Sequence, residues 1–194
     1  MRNELMIDLE TTGQRVGCKV LSLGAFGFDK DGNQVEFYRV FETNAQQLEG
    51  LTDDESTIQW WNTKVDPEAR KAAFSGTTAP QEGIAEFKKW FYEHFSAEYG
   101  DWFKVWCCGL DFDFPILQEF FRRFGFTFPW KFWEQYDYRT VKNIFPAIKA
   151  DEGNVAKHTA LEDAKAQMRG LRSFYDKLFS MRKVMDNAGL ERIL

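Results

Sequence analysis

Residues 6–13 read MIDLETTG, a pattern typical of a β-strand that runs into a turn. Side chains alternate between the two faces of a strand, so Ile7 and Leu9 share one face while Asp8 and Glu10 share the other. The two carboxylates would lie about 7 Å apart, and a hard divalent cation such as Mg²⁺ or Mn²⁺ would relieve their repulsion. Taken alone, the stretch favours an ordinary edge strand with polar residues facing water. A metal site needs matching acids elsewhere in the chain.

The composition limits the kind of protein that this chain can be. Its 194 residues suit a single domain with a sizeable core. The net charge of −5 argues against a protein held on nucleic acid by a broad basic surface, but it does not exclude an enzyme that grips one strand end through bound metals. The 20 Phe and 7 Trp residues are numerous. Aromatic residues usually fill cores, yet some are expected to be exposed for base stacking or dimerisation.

The cysteine pattern and the hydropathy indicate a location. Cys107 and Cys108 are neighbours that cannot bridge each other in ordinary geometry, and Cys18 has no zinc-type partner spacing. We therefore expect a reduced, intracellular protein. The sequence shows neither a secretory signal nor an apolar run of transmembrane length, so we expect a cytoplasmic protein without a membrane partner.

The apolar patterns predict three antiparallel strands followed by alternating helices and strands. The predicted strands are residues 4–10, 20–28, 35–41 and 103–108. The first predicted helix is short: it opens on a capping box at residues 52–55 and runs through Trp61. The other predicted helices are residues 68–74, 81–95, 115–124, 141–145 and 159–178. This order predicts one α/β domain with a mixed β-sheet flanked by helices. The sheet begins as an antiparallel meander and continues with parallel strands.

Three residues far along the chain supply the matching groups. Asp113 lies between a predicted buried strand and a helix N-terminus, His158 precedes the last long helix, and Asp163 lies one turn into that helix. Helix capping explains Asp113 equally well, and a favourable interaction with the helix dipole explains Asp163. His158 could be a plain loop residue. The chain has only one other histidine, His94 on an ordinary predicted helix, and we therefore favour a functional role for His158.

Together these residues form an ordered pattern: Asp8-x-Glu10, then Asp113, then His158-x4-Asp163. The pattern resembles the DEDDh 3′–5′ exonucleases, which have a ribonuclease H-like fold. The resemblance implies that the four acids hold two divalent metal ions, Mg²⁺ or Mn²⁺, and that His158 is the general base. Such chemistry is coherent, since two metals can clamp the attacking and leaving oxygens while an imidazole takes the proton of the attacking water.

Other stretches narrow the resemblance. The sequences STIQWW at residues 56–61, PEAR at 67–70, FDFPIL at 112–117, KFW at 131–133 and DYRT at 137–140 are similar to the exonuclease A group of T-even bacteriophages and the related ribonuclease AS. The similarity covers most of residues 4–178 of a single domain spanning 1–194, and it leaves 179–194 as a C-terminal helical extension. Asp111 is a second acid beside Asp113, to which we assign an accessory or capping role. Relatives are often dimers, so the resemblance also implies a homodimer.

The leading hypothesis is therefore a two-metal 3′–5′ exonuclease that degrades single-stranded DNA from a free 3′ end and releases nucleoside 5′-monophosphates. An exoribonuclease with the same chemistry is the first alternative, because no reader of the 2′-hydroxyl can be identified. A catalytically silent protein that binds nucleic-acid ends is the second. A small-molecule phosphatase would share the metals but has less use for the aromatic and basic residues described next.

Five further residues are candidates for binding the terminal nucleotide, and one of the two tryptophans among them is expected to do so. The turn after Glu10 can offer backbone N–H groups of Thr11 and Thr12 to the terminal sugar. Trp60 and Trp61 are adjacent on one predicted helix and point about 100° apart, so that one can be core while the other stacks on a base. Arg139 is the best candidate for a phosphate contact. The alternative is that both tryptophans are core and that Arg139 pairs with a surface acid.

Overall fold

The computed structural model describes residues 2–44, 48–95, 103–146, 152 and 158–187. Its strands are β1 (Glu4–Thr11), β2 (Val20–Phe28), β3 (Gln34–Val40), β4 (Lys104–Cys107) and β5 (Gln135–Asp137). Its α-helices are α1 (Glu55–Thr63), α2 (Pro67–Phe74), α3 (Pro80–His94), α4 (Asp113–Arg123), α5 (Tyr138–Ile144) and α6 (Ala160–Asn187). A short 3₁₀ helix, Phe132–Glu134, precedes β5.

The five strands form one mixed sheet in the order β3-β2-β1-β4-β5. β1 pairs antiparallel with β2, and β2 pairs antiparallel with β3. β4 runs parallel to β1 on one side and to β5 on the other. The predicted α/β fold of ribonuclease H-like type is therefore confirmed, and the strand that carries Asp8 and Glu10 lies at the centre of the sheet.

The alternation of side chains along β1 divides the protein into two packing layers. Leu5, Ile7 and Leu9 are buried in a core formed with the aromatic side chains of α3 and α4. Met6 points to the opposite face and packs in a second core against α6. Asp8 and Glu10 share that second face, and the sheet therefore presents its central carboxylates to α6.

Aromatic residues occupy both the cores and the surface, as the composition predicts. Phe87, Phe91 and Phe121 are almost fully buried, whereas Phe132 and Trp133 are 79% and 63% exposed. Among the described residues, no helix combines the length and the hydropathy that crossing a bilayer requires.

Three predicted helix starts are wrong, the first of them for a reason that lies outside local sequence. Thr52 does not open α1, because its backbone pairs with Cys18 in an isolated bridge. Asp54 is the N-cap instead, and its carboxylate accepts a hydrogen bond from the backbone N–H of Ser56. The other two are α4, which begins at Asp113 and not at Pro115, and α5, which begins at Tyr138 and not at residue 141.

The last helix extends beyond the predicted end. α6 continues to Asn187, so part of the predicted 179–194 extension is a continuation of this helix, and residues 188–194 lie outside the described residues. Phe179, Met181 and Val184 are more than half exposed on this continuation.

Gly24 on β2 lets α6 approach the sheet beside the acids. It pairs with Asp8 across the two strands. A Cβ atom at this position would lie 2.2 Å from the backbone carbon of Ala160 and 2.2 Å from the backbone nitrogen of Leu161. Since both neighbours are backbone atoms at the start of α6, only glycine allows this helix to begin where it does.

We expect Gly24→Ala to destabilise the protein by about 1–3 kcal/mol, the usual range for overpacking, and to lower activity because α6 must move away from β1. Thermal denaturation and nuclease assays would measure the two effects. Gly17→Ala is the control, since its added Cβ meets no atom within 4 Å and only the backbone strain at φ +96° is introduced. If Gly24→Ala has the thermal midpoint and activity of the wild type, Gly24 does not set the helix position.

Candidate active site

The end of β1 supplies two carboxylates. Glu10 is 8% exposed and Asp8 is half-buried. The pairing of β1 with β2 becomes irregular between Glu10 and Thr11, where the strand runs into its turn. The side chains of Asp8 and Glu10 are therefore held on the last regular part of the strand, on the face toward α6.

The start of α4 supplies the third carboxylate. Asp113 is the first residue of the helix and is only 3% exposed. The backbone of Leu9 and the side chain of Cys107 lie beside its carboxylate. Asp111 lies on the exposed turn before the helix. The structure therefore brings Asp113, and not Asp111, to the buried end of β1.

The start of α6 supplies the fourth carboxylate and the histidine. The backbone N–H of His158 donates to Oδ2 of Asp163 at 3.0 Å, and the residue has a positive φ of 72°. One ligand atom each of Glu10, His158 and Asp163 lies within 4.8 Å of the others. Residues about 150 positions apart in the sequence thus converge in one cluster.

The electrostatics of this cluster are unfavourable in the absence of a cation. Burial, followed by the charges of Asp113, Glu10 and Asp163, raises the pKa of Asp8 well above its ordinary range. Burial, then the charges of Asp163 and Asp113, raises the pKa of Glu10 to about 8. Burial raises the pKa of Asp113 to about 7, although Leu9, Arg139 and Cys107 act in the opposite direction. Buried oxygen donors that resist ionisation fit a hard divalent cation, which would supply the missing positive charge.

The two tryptophans have different surroundings. Trp61 is 1% exposed, and its indole N–H donates to the backbone oxygen of Thr11 at 2.9 Å, so it anchors α1 to the end of β1. Trp60 is 38% exposed, and its ring lies edge-on to the ring of His158 with centroids 4.8 Å apart. Trp61 is therefore the core member of the pair, and Trp60 borders the site.

The threonine turn is tied into the protein. The hydroxyl of Thr11 donates to the backbone oxygen of Gly13 at 2.6 Å. The backbone N–H of Thr12 donates to Lys19 at 3.0 Å, and its backbone oxygen accepts from Asp54 at 2.9 Å. The N–H that was expected to meet a terminal sugar is therefore already engaged at Thr12.

A cleft of about 680 Å³ opens beside the acid cluster. Glu10, Thr11, Trp60 and Arg139 are among its lining residues. The Arg139 guanidinium donates through Nη2 to the backbone oxygen of Cys108 at 2.6 Å, which holds this exposed cation at the edge of the cleft. Of the predicted residues, Glu10 lines this opening together with the candidate substrate residues Thr11, Trp60, Trp61 and Arg139.

Sequence reasoning missed three residues that shape this site. Gln167 donates from Nε2 to Oδ1 of Asp8 at 2.7 Å. Cys107 contacts Asp113, and Gly24 admits the start of α6. Gln167 follows Asp163 by four residues, so a search along the same helix face would have found it, whereas the other two depend on tertiary contacts.

Two solved structures share the fold. E. coli exonuclease I, determined in complex with a 5cy-dA13 oligonucleotide, matches with a TM-score of 0.60 and 15% identity over 91% of this chain and 42% of that protein. Cell-death related nuclease 4 (CRN-4) matches with a TM-score of 0.51 and 14% identity over 92% of this chain and 64% of that protein. This chain therefore spans less than half of the first structure and less than two thirds of the second. At these identities the two matches show a shared fold, and the class of protein is decided by sequence comparison.

Sequence comparisons identify the family. Residues 3–174 match the family model described as the 3'-5' exoribonuclease Rv2179c-like domain. The exodeoxyribonuclease of Enterobacteria phage T4 is 32% identical over 161 residues, which cover 71% of this chain and 69% of the relative. The chain belongs to the Rv2179c-like 3′–5′ exoribonuclease domain family, and the protein is an exonuclease. The resemblance found in the sequence is confirmed.

The raised pKa of Glu10 predicts how stability depends on pH. In the unfolded chain a glutamate has a pKa of about 4.3, whereas the pKa of Glu10 in the folded protein is about 8. Below the unfolded pKa, Glu10 is protonated in both states and the folded protein is not penalised. This stability is lost as the pH rises through about 8, because the folded protein must then ionise Glu10. In EDTA we expect Glu10→Gln to raise the thermal midpoint at pH 9 by about 4 °C or more over the wild type, and by much less at pH 5. Added Mn²⁺ should stabilise the wild type most at high pH.

The control for this measurement is Glu93→Gln on the surface of α3, which should follow the wild type at both pH values. Scanning calorimetry across the pH series gives the comparison. An equal effect of Glu10→Gln at pH 5 and pH 9 would contradict the charge repulsion described for the cluster.

Proposed function

We propose that this protein is a divalent-metal-dependent 3′–5′ exonuclease that uses two metal ions and acts on single-stranded DNA. The observation that carries the proposal is the convergence of Glu10, His158 and Asp163, whose ligand atoms lie within 4.8 Å of one another, beside the half-buried Asp8 and the buried Asp113. The 32% identity to a phage exodeoxyribonuclease supports DNA as the substrate. RNA is the second candidate, favoured by the description of the family.

Asp8, Glu10, Asp113 and Asp163 would hold the cations. When bound, divalent cations stabilise charge on phosphate oxygens and lower the pKa of water. The carboxylates themselves fix the position of this charge at the end of β1, where burial excludes most water and strengthens every electrostatic interaction. Ionisation of the four acids is thereby coupled to metal binding.

His158 acts as the general base in the proposed reaction. The imidazole takes a proton from the attacking water, whose oxygen forms a bond to phosphorus while the bond from phosphorus to the leaving 3′ oxygen breaks. The leaving oxygen gains a proton, and the products are a nucleoside 5′-monophosphate and a strand shortened by one nucleotide. The contact with the edge of Trp60 and the bond from its own N–H to Asp163 hold His158 at the cluster.

The cleft holds the 3′-terminal nucleotide. Trp60 is the exposed aromatic at its rim, and stacking on a base is worth about 1–3 kcal/mol without sequence preference. Thr11 lines the same opening and borders the terminal sugar. Arg139, which also lines the cleft, pairs with a phosphate, while Trp61 supports the wall from the core. An acidic protein can thus grip a strand end locally. The homodimer and the cytoplasmic location expected from the sequence stay predictions.

The proposal is tested with 5′-labelled single strands of DNA and RNA of one sequence, incubated with the protein in Mn²⁺ or Mg²⁺. A ladder that shortens from the 3′ end, is abolished by EDTA and requires a free 3′ hydroxyl is expected. Faster digestion of RNA would select the second candidate. Binding of strand ends without turnover indicates a silent binding protein, and digestion of circular strands contradicts a terminal-nucleotide pocket.

We expect Asp113→Asn to reduce turnover by at least about 100-fold, beyond the ~10–100-fold usual for partners of metal ligands, because it removes a buried oxygen donor. Asp111→Asn makes the same chemical change on the exposed turn two residues earlier and should stay within about twofold of the wild type. Steady-state rates on a single-stranded oligonucleotide compare the two variants. A dead Asp111→Asn beside an active Asp113→Asn would reverse the assignment.

We expect His158→Ala to lose about 10²–10⁴-fold in kcat, the usual contribution of a general base, while retaining Mn²⁺ affinity. His94→Ala removes the other histidine of the chain, on α3, and should leave both quantities unchanged. Calorimetric titration with Mn²⁺ separates the possible roles. If His158→Ala loses its metal affinity together with its rate, the imidazole is a metal ligand.

A further inference from the structure

Gln167 contacts the acid cluster from α6. It lies one helical turn after Asp163, on the same side of the helix, and its Nε2 lies 2.7 Å from Oδ1 of Asp8. The pair connects residues 159 positions apart and joins the longest helix to the central strand. Asp8 therefore has a neutral hydrogen-bond donor, Gln167, in addition to the acidic residues around it.

The orientation of the Gln167 amide follows from chemistry. An ionised carboxylate, the form that holds a cation, can only accept hydrogen bonds, so the NH₂ group of the amide, and not its oxygen, faces it. The other end, Oε1, is buried and has no hydrogen-bond partner among the described residues. A buried amide oxygen without a partner opposes folding, and the residue is therefore not optimised for stability alone.

The neighbours of Gln167 on the same face of α6 also indicate that this residue is not chosen for stability alone. Leu171 lies on this face four residues later and is completely buried in the second core beside Met168. An apolar residue at position 167 would extend that core without leaving an unpaired oxygen. The one hydrogen bond of the Gln167 side chain is the bond that its NH₂ group donates to Asp8. This bond is what an apolar residue could not supply, and it lies at the site.

We propose that Gln167 is a positioning residue that holds the carboxylate of Asp8 in the orientation needed to bind a divalent cation. The inference rests on the proposed function and deepens it. The hydrogen bond restricts the rotation of the Asp8 side chain, and it engages one oxygen so that the carboxylate does not turn away from Glu10 and Asp113 when the cluster is charged. Residues that orient metal ligands in this way lie just outside the ligand group.

Gln167→Met tests the proposal, because methionine keeps the length of the side chain and removes the donor. The matched control is Gln118→Met, the same change on the exposed side of α4. We expect the Kd for Mn²⁺, measured by calorimetric titration of the metal alone, to rise about 10-fold in Gln167→Met and to stay at the wild-type value in Gln118→Met. At saturating Mn²⁺, kcat should fall while KM for a single-stranded oligonucleotide stays the same.

The outcomes separate the inference from the proposed function. Wild-type Mn²⁺ affinity and kcat in a folded Gln167→Met protein would overturn the positioning role. If that variant does not fold, Gln167→Ala, which lacks the donor without adding a larger apolar group, should show the same loss of Mn²⁺ affinity, and wild-type affinity there would equally overturn the role. Absence of turnover in the wild-type protein, with Mn²⁺ binding weakened only by the Gln167 changes, would defeat the exonuclease proposal and leave the positioning role standing.

Discussion

The burial of like charges at the end of β1 is the constraint on which the structure depends. Asp113 and Glu10 are almost inaccessible, and their pKa values of about 7 and 8 show that the folded protein resists ionising them. A fold gains no stability from such a cluster unless a cation completes it. The two apolar cores on either face of the sheet hold the acids together at the expense of stability, so that the site exists before any cation or strand arrives.

The prediction from sequence succeeded where local periodicity carried the information. The alternation in residues 4–10 and the apolar run after Val20 predicted the meander, and the order of acids predicted which ends of which elements would meet. β5 was missed, because its three residues are too short for a periodic signal and exist as a strand only through pairing with β4. The capping box at Thr52 failed for a related reason, since its backbone pairs with a residue 34 positions away.

The site shows the same division between local and distant information. Spacing and residue type were enough to name the candidate catalytic residues Asp8, Glu10, Asp113, His158 and Asp163. Their catalytic roles stay predictions. Adjacent tryptophans were distinguishable only in three dimensions, because the contacts that bury Trp61, such as those with Leu21 and the backbone oxygen of Thr11, come from distant parts of the chain. Gly24 carries no chemistry at all, and its importance becomes visible only through the backbone of α6 that lies against it.

One rigid helix serves both the site and the second core. Asp163 and Gln167 occupy the first turns of α6, and Met168 and Leu171 of the same helix are buried against the sheet. Inserting one residue between Asp163 and Leu171 would rotate one group relative to the other by about 100°, so that either the carboxylate or the leucine would face solvent. A change of length in this segment would therefore separate the site from the core, whereas the β2–β3 turn at residues 29–33 lies at the far end of the sheet from the acids.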